Sequence, residues 1–483
     1  MNRLDERWDE SLGGITSSAF YGLAAQGFDH HGLRTLRLRP LLFFQRRTTA
    51  TALAYLNHPP FPHLVTAPAY RHLGRDERAM RIPILGLAIM VLAATFVAAR
   101  RVGGLDLAFF TTGLLAATPL FCQYGNLVDA PMFSLATLVP AWLAWESYRK
   151  HRTRRALVVW IIAGGLSGAS YWFGYFLVPV LWMDLLIREG KRGLLRLGFV
   201  AGLPFGLALV AYLAWLALAT DGWSDMATQL RVLLSAPVGG DSKLTPEQID
   251  YFRNMQAHLW RGWGWPFLGL IAIGSVVALF QRGPASRTAA ILCIAGLLPC
   301  IAFRSRAAFH EFWILQATPG LALLAALPIL LAWRHFRERP QRWAVLAGWV
   351  AVMAWGLWTG KELHASYLTD KYTNPGLVLN RYVGPDDVVL YPMNNISWRF
   401  YCQAATVPLY DSADAHRRYM EALRPGRDQI NRLFVFWTPE AGVVPELAPV
   451  LSLVKSRQVV PYRGTTAPLF ELDIDGAMKL FRN

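Results

Sequence analysis

Two short stretches of this 483-residue chain gather side chains that could do chemistry. Asp129 stands alone in an apolar setting, two positions before Pro131, where a hydrophobic run begins. A carboxylate placed there can serve as a general base or a metal ligand. It can equally serve as a helix N-cap, because Asp accepts hydrogen bonds from the free N–H groups of a first turn. The second stretch sets Arg304 and Arg306 just ahead of His310 and Glu311. Two cations beside a His–Glu pair suit an anion and an acceptor hydroxyl, and an interfacial loop with snorkelling arginines would carry the same residues. The four cysteines offer no Cys-x-x-Cys or metal-ligand spacing. Cys122, Cys293 and Cys300 lie in or beside apolar runs and Cys402 is alone, so no structural disulfide is expected.

What must position these residues is a membrane. The chain is 54% hydrophobic and only 17% charged, with a mean hydropathy of +0.28. Soluble domains carry about 25% charge, and their apolar residues form stripes rather than long blocks. A spanning helix needs about 20 apolar residues. Ten candidates fall near 83–99, 107–124, 129–145, 156–170, 172–187, 195–219, 264–281, 288–304, 312–333 and 343–359. The run from Ala156 to Ile187 is too long for one helix, and Gly164, Gly165, Gly168 and Gly174 allow a break near Ser170. Two short spans or one re-entrant hairpin fit that run.

Net charge +16 raises the question of nucleic acid, and its location answers it. Five connectors, 100–106, 146–155, 188–196, 282–287 and 334–342, hold 17 Lys/Arg against four acids, a net +13. Lys and Arg accumulate in cytoplasmic loops, so the basicity records topology and no nucleic-acid partner is expected. Alternation then places 1–82, the turn around Asn126, the loop 220–263, the turn 304–311 and the tail 360–483 outside. The N-terminus falls outside with no span ahead of it, the pattern expected if a first helix is missing from the sequence. Tyr171, Trp172, Trp223, Trp260, Trp263 and Trp265 read as an aromatic belt. Span interiors are almost free of ionisable residues and show no inverted repeat, which counts against an ion-coupled transporter. In the tail, 387–392, 432–437 and 468–474 read as strands and 413–423 as a helix. The expected fold class is therefore a polytopic α-helical membrane protein. Its three parts are an outer loop with amphipathic helices (1–82), a helical membrane domain (83–359) and an extracytoplasmic α/β domain (360–483).

Five segments, taken in order, resemble a family. Ala19–Gly32 (AFYGLAAQGFDHHG) is similar to the outer-loop helix written DEAxYAxxARNxxxxG, and Asn57–Leu64 (NHPPFPHL) to a D-K-P-P-L-Y-Y-W stretch. Glu77–Pro83 (ERAMRIP) is like E-x-x-x-R-x-P, and Gly125–Met132 (GNLVDAPM) resembles a second acidic motif at the top of a span. Phe309–Pro319 (FHEFWILQATP) resembles a late H-x-F/Y-x-x-x-x-x-P stretch. The family is the GT-C superfamily of glycosyltransferases that use lipid-linked sugars, in the branch of the protein O-mannosyltransferases and the lipid A aminoarabinose transferase.

The resemblance implies a sugar donor on a polyprenyl phosphate, an acceptor that is a glycan, lipid or protein, and reaction at the outer face of a bacterial inner membrane. A carboxylate would deprotonate the acceptor hydroxyl, and cationic side chains or a divalent metal would stabilise the leaving phosphate; no other cofactor is called for. Asp129 then takes the base role. His58 stands where the family has the lysine of K-P-P and implies a donor-phosphate contact. Arg81 implies another, or a head-group anchor, and Arg304, Arg306, His310 and Glu311 imply substrate binding. One departure is plain: the family's first acidic pair falls on Ser17 and Ser18. A substitute would have to come from Asp9, the favoured residue, or from Glu10 or Asp29. Two rival readings stay open, a non-catalytic scaffold or envelope-assembly protein on the same fold and a transporter of lipid-linked intermediates.

Overall fold

The computed structural model describes residues 17–45, 48–220, 222–223, 226–227, 230–231, 250–367, 373–391, 400–408, 424–437, 452–462 and 465–480. These fall into two compact units. The first takes 57–62 and 81–365, and the second takes the remaining described residues.

The first unit is helical. Among the described residues six stretches are long and apolar enough to cross a membrane: Glu77–Gly103, Trp172–Ala219, Tyr251–Phe280, Pro284–Ala302, Glu311–His335 and Arg342–Leu363. Fewer stretches than the expected ten meet that length and composition, for identifiable reasons. The block 107–124 is cut into Leu105–Ala117 and Pro119–Tyr124, because Pro119 has no N–H to continue the ladder and begins a new helix. The blocks 172–187 and 195–219 run on as one stretch, interrupted only at Gly190, whose φ of 67° glycine alone adopts without cost. The blocks 129–145 and 156–170 form helices Ala130–His151 and Arg154–Ser170; the first ends in charged residues and the second has 17 residues. Part of the expected loop 220–263 is also helical, since Tyr251–Phe280 begins well before position 264 and bends at Gly264.

Close backbone approach holds these helices together, as expected where lipid removes most of the hydrophobic drive for helix pairing. A Cβ on Gly274 would overlap the Leu324 carbonyl, and one on Gly296 would overlap the Ala317 backbone. At one end of the unit the basic connectors meet. Arg287 donates to Asp184 at 2.6 and 2.8 Å and to Glu146 at 3.0 Å. Arg149 pairs with Glu146 at 3.1 Å and Arg196 with Glu189 at 3.0 Å. Connectors 146–155, 188–196 and 282–287 are thus one ion-pair network. Connectors 100–106 and 334–342 touch where Arg334 donates to the Gly103 carbonyl at 2.9 Å.

The expected aromatic belt divides. Trp223, Trp260 and Trp265 are exposed, as a belt requires, but Trp263 and Tyr171 are buried inside the unit. Tryptophan count alone cannot separate lipid-facing from core-facing rings.

The second unit holds a five-stranded mixed sheet in the order 405–408, 388–391, 433–436, 465–472, 454–462; the first three strands are parallel and the last two antiparallel. The expected strands at 387–392, 432–437 and 468–474 are all present, and the expected helix 413–423 lies outside the described residues. Val388, Leu390, Leu433 and Val435 pack into one core, Val389, Tyr391, Phe434 and Phe436 into another, so both sheet faces are covered. Double coverage is why these strands read as continuous apolar runs. The same unit contains helix Ser17–His31 and a hairpin of Leu41–Gln45 with Thr48–Ala54.

Candidate functional site

Helix Ala130–His151 orients the first unit. Asp129 is its N-cap and Glu146 lies near its other end, about 25 Å away at 1.5 Å per residue. The ion-pair network occupies the Glu146 end; the residues singled out for chemistry collect at the Asp129 end. Asp129 is 4% exposed, and although its backbone has the extended N-cap conformation, its side chain makes no capping bond to the helix. Capping does not account for the carboxylate.

Around that end runs a chain of rings. His58 lies against Tyr171 with centroids 4.4 Å apart, Tyr171 against Phe173 at 4.7 Å, and Phe173 against Trp313 at 4.7 Å. Trp313 continues to Phe312, and Phe312 stacks on His310 at 5.2 Å. Trp172 Nε1 donates to the Asn57 carbonyl at 3.0 Å, tying the His58-Pro59-Pro60 turn to the 3₁₀ helix Trp172–Phe176. The Asp129 segment joins through the amide of Gln316, whose Nε2 donates to the Pro131 carbonyl at 2.7 Å. Segments 57–60, 124–131, 171–176 and 303–317 therefore form one polar and aromatic surface.

The expected residues within the described part of the chain can be located. Arg81 is 3% exposed in the first turns of helix Glu77–Gly103 and lies in the same unit. Glu311, 4% exposed, opens the 3₁₀ helix Glu311–Ala317, of which His310 is the N-cap. Arg304 is exposed at the start of the short helix Arg304–Phe309; the side chain of Arg306 lies outside the described residues. His258, which the sequence did not single out, brings helix Tyr251–Phe280 to this turn through Nε2 and the Ala308 carbonyl, 3.0 Å apart. Trp313 and Gln316 join the surface as well, both inside the stretch Phe309–Pro319, where neither residue type signals a role by its sequence alone.

The substitute carboxylates fare differently. Asp9 and Glu10 lie outside the described residues. Asp29 belongs to the second unit, on helix Ser17–His31, where Arg75 at 3.0 Å and Arg71 at 3.9 Å pair with it. Ser18, one of the two serines at the family's acidic positions, is buried. Among the described residues there is no group of three or more His, Cys, Asp or Glu side chains that could hold a metal ion.

Comparison with known proteins bears on this arrangement. No family model matches the chain, and no curated protein matches it in sequence. Solved structures do. ArnT from Cupriavidus metallidurans bound to undecaprenyl phosphate is similar over 95% of this chain and 94% of its own, at 14% identity and a TM-score of 0.67. The Archaeoglobus fulgidus oligosaccharyltransferase complexed with Zn and sulfate is similar over 90% of this chain and 65% of its own, at 11% identity and a TM-score of 0.58. The fold is that of the GT-C glycosyltransferases. With a GT-C fold, the buried Asp129 at the head of a helix and the ring-lined surface beside it form the candidate site.

Proposed function

We propose that this GT-C chain is a membrane glycosyltransferase that moves a sugar from a polyprenyl-phosphate donor to a hydroxyl of a glycan, lipid or protein. The observation that carries the reading is Asp129: a buried carboxylate, uninvolved in capping its own helix, at the end of the helical unit opposite the basic network. Asp129 takes the acceptor's proton as the acceptor oxygen bonds to the anomeric carbon. The bond from that carbon to the phosphate oxygen breaks, and its electron pair leaves with the polyprenyl phosphate. His58 and Arg81 would hold the phosphate as its charge grows, Arg304, Arg306, His310 and Glu311 would line the substrate region, and Asp9 would supply a second carboxylate. Two solved proteins of this fold hold such carriers, ArnT undecaprenyl phosphate and AglB from Archaeoglobus fulgidus dolichol-phosphate, the latter at 11% identity, 90% and 67% coverage and a TM-score of 0.52.

The proposed topology has ten crossings of a bacterial inner membrane, with the five basic connectors in the cytoplasm. Segments 1–82, 220–263 and 360–483 then lie outside, the last as an α/β domain. The deciding experiment reconstitutes the chain in liposomes with a radiolabelled polyprenyl-phosphate sugar and follows release of the sugar with and without envelope acceptors. Acceptor-dependent release that vanishes in Asp129→Asn supports the reading, and release unchanged in that variant overturns it. A second reading, a scaffold that kept the fold and lost the reaction, draws on Asp29, whose carboxylate is engaged by Arg75. Complete absence of transfer in the intact chain, with all envelope acceptors supplied, would favour it.

A further inference from the structure

The turn that carries His310 and Glu311 also carries two buried polar atoms with no partner among the described residues. Trp313 is 7% exposed and its Nε1–H donates to nothing; Gln316 is 1% exposed and its Oε1 accepts nothing. The orientation of the Gln316 amide is settled by chemistry, because the Pro131 carbonyl can only accept and must face the NH2 group. Oε1 is therefore the bare end. Positions 313 and 316 stand three apart in the 3₁₀ helix Glu311–Ala317, a helix with three residues per turn, so their side chains leave on the same side. That side is the one turned toward the start of helix Ala130–His151, where Gln316 meets Pro131. One turn into that helix, the buried Ser134 hydroxyl is likewise without a partner.

Burying an unsatisfied donor or acceptor costs about 1–3 kcal/mol each, so a donor and an acceptor left bare on the same side of one helix are expected to meet a ligand that completes both. The group that can do so is a hydroxyl: its oxygen accepts from Trp313 Nε1–H while its O–H donates to Gln316 Oε1. We infer that Trp313 and Gln316 form a hydroxyl-binding subsite beside Asp129, reading a polyol of the transfer reaction. The inference rests on the transfer reading above and adds two binding residues to it. The hydroxyl belongs either to the donor's sugar or to the acceptor, and the two sources give different results.

The test uses the full chain in nanodiscs, with undecaprenyl phosphate alone and undecaprenyl phosphate carrying glucose or arabinose as probes. The variants are Trp313→Phe and Gln316→Leu. Phenylalanine keeps the ring against Phe173 and Phe303 and removes only the N–H donor, so Trp313→Phe carries the test if Gln316→Leu fails to fold. For a donor-sugar hydroxyl, each variant weakens binding of a sugar-bearing lipid about tenfold, the worth of one buried hydrogen bond, and leaves the bare carrier unaffected. For an acceptor hydroxyl, lipid affinities hold and the acceptor KM rises about tenfold instead, with kcat little changed. If neither affinity nor KM moves while the wild type still transfers sugar, the subsite holds only an ordered water and the inference fails alone. A wild-type chain that neither binds the lipids nor transfers sugar removes the transfer reading, and the inference with it.

Discussion

The two ends of helix Ala130–His151 treat buried charge in opposite ways. At the Glu146 end, carboxylates and guanidinium groups satisfy one another: Asp184 takes two bonds from Arg287, and Glu146 is shared by Arg149, Arg188 and Arg287. At the Asp129 end, the carboxylate leaves its helix uncapped and nearby donors and acceptors stay open. The first arrangement closes the structure, because each group is spent on a neighbour. Under the proposed transfer reading, the second keeps polar groups for a substrate. On that reading stability and function are separated along one helix, and unmet polarity at a functional end is the usual form that such separation takes.

Exchanging carboxylates for amides gives the largest contrast. Asp129→Asn is expected to lower sugar transfer by about 10²–10⁴-fold, the usual worth of a general base, with little change in thermal stability. Glu146→Gln should do the reverse in the same transfer and melting assays. A smaller effect is expected for Arg287→Met, which leaves Asp184 facing only the more distant Arg188, at 3.8 Å, among the described residues. Breaking a buried pair costs about 3–5 kcal/mol, and the partial exposure of Arg287 reduces this to about 2–3 kcal/mol. Chemical or thermal unfolding in detergent would measure it, and adding Asp184→Leu should recover much of the loss while leaving transfer intact.

Acid separates the ends more gently. Burial pushes the Glu146 carboxyl up, but the hydrogen bond from Arg149 and the charges of Arg287, Arg149 and Arg188 outweigh it and hold the group below its usual 4.5. A folded-state value below the unfolded one adds stability above pH 4.5 that is lost as pH falls through the lower folded value. Melting temperature should therefore stay level from neutral pH to about 5 and drop below it, and the drop should be shallower in Glu146→Gln. The finest test concerns sidedness. Reporter fusions after residues 150, 190 and 337 should report cytoplasm, and fusions after 240 and 400 the outer compartment. An outer signal at 190 would put the two ends of the network on different sides of the membrane.

Much of this was open to reading in the chain. VVLY at 388–391 and LFVF at 433–436 announce strands because a sheet covered on both faces needs no polar alternation. The basic connectors could be assigned to one side because translocation resists each Lys and Arg separately. The span count was less legible. Composition shows an apolar block at 107–124, but Pro119 decides that it becomes two helices, and at Gly190 a single residue bends a stretch without ending it. Asp29 could not be judged from its neighbours in sequence, since its partner Arg75 lies 46 positions on and joins it only in the fold.

The sequence by itself determined that this is a membrane chain, which connectors carry the positive charge, and where a carboxylate heads a hydrophobic helix. Those are properties of segments: transfer of an apolar stretch or a charge into lipid depends on the residues in that stretch. Only the tertiary structure decided which polar groups are used up and which are left open. The bond from Gln316 to Pro131 joins residues 185 positions apart, and Arg287 reaches Asp184 across 103. Hydrogen bonds form between groups brought within about 3 Å, a distance that helix packing sets and local sequence does not.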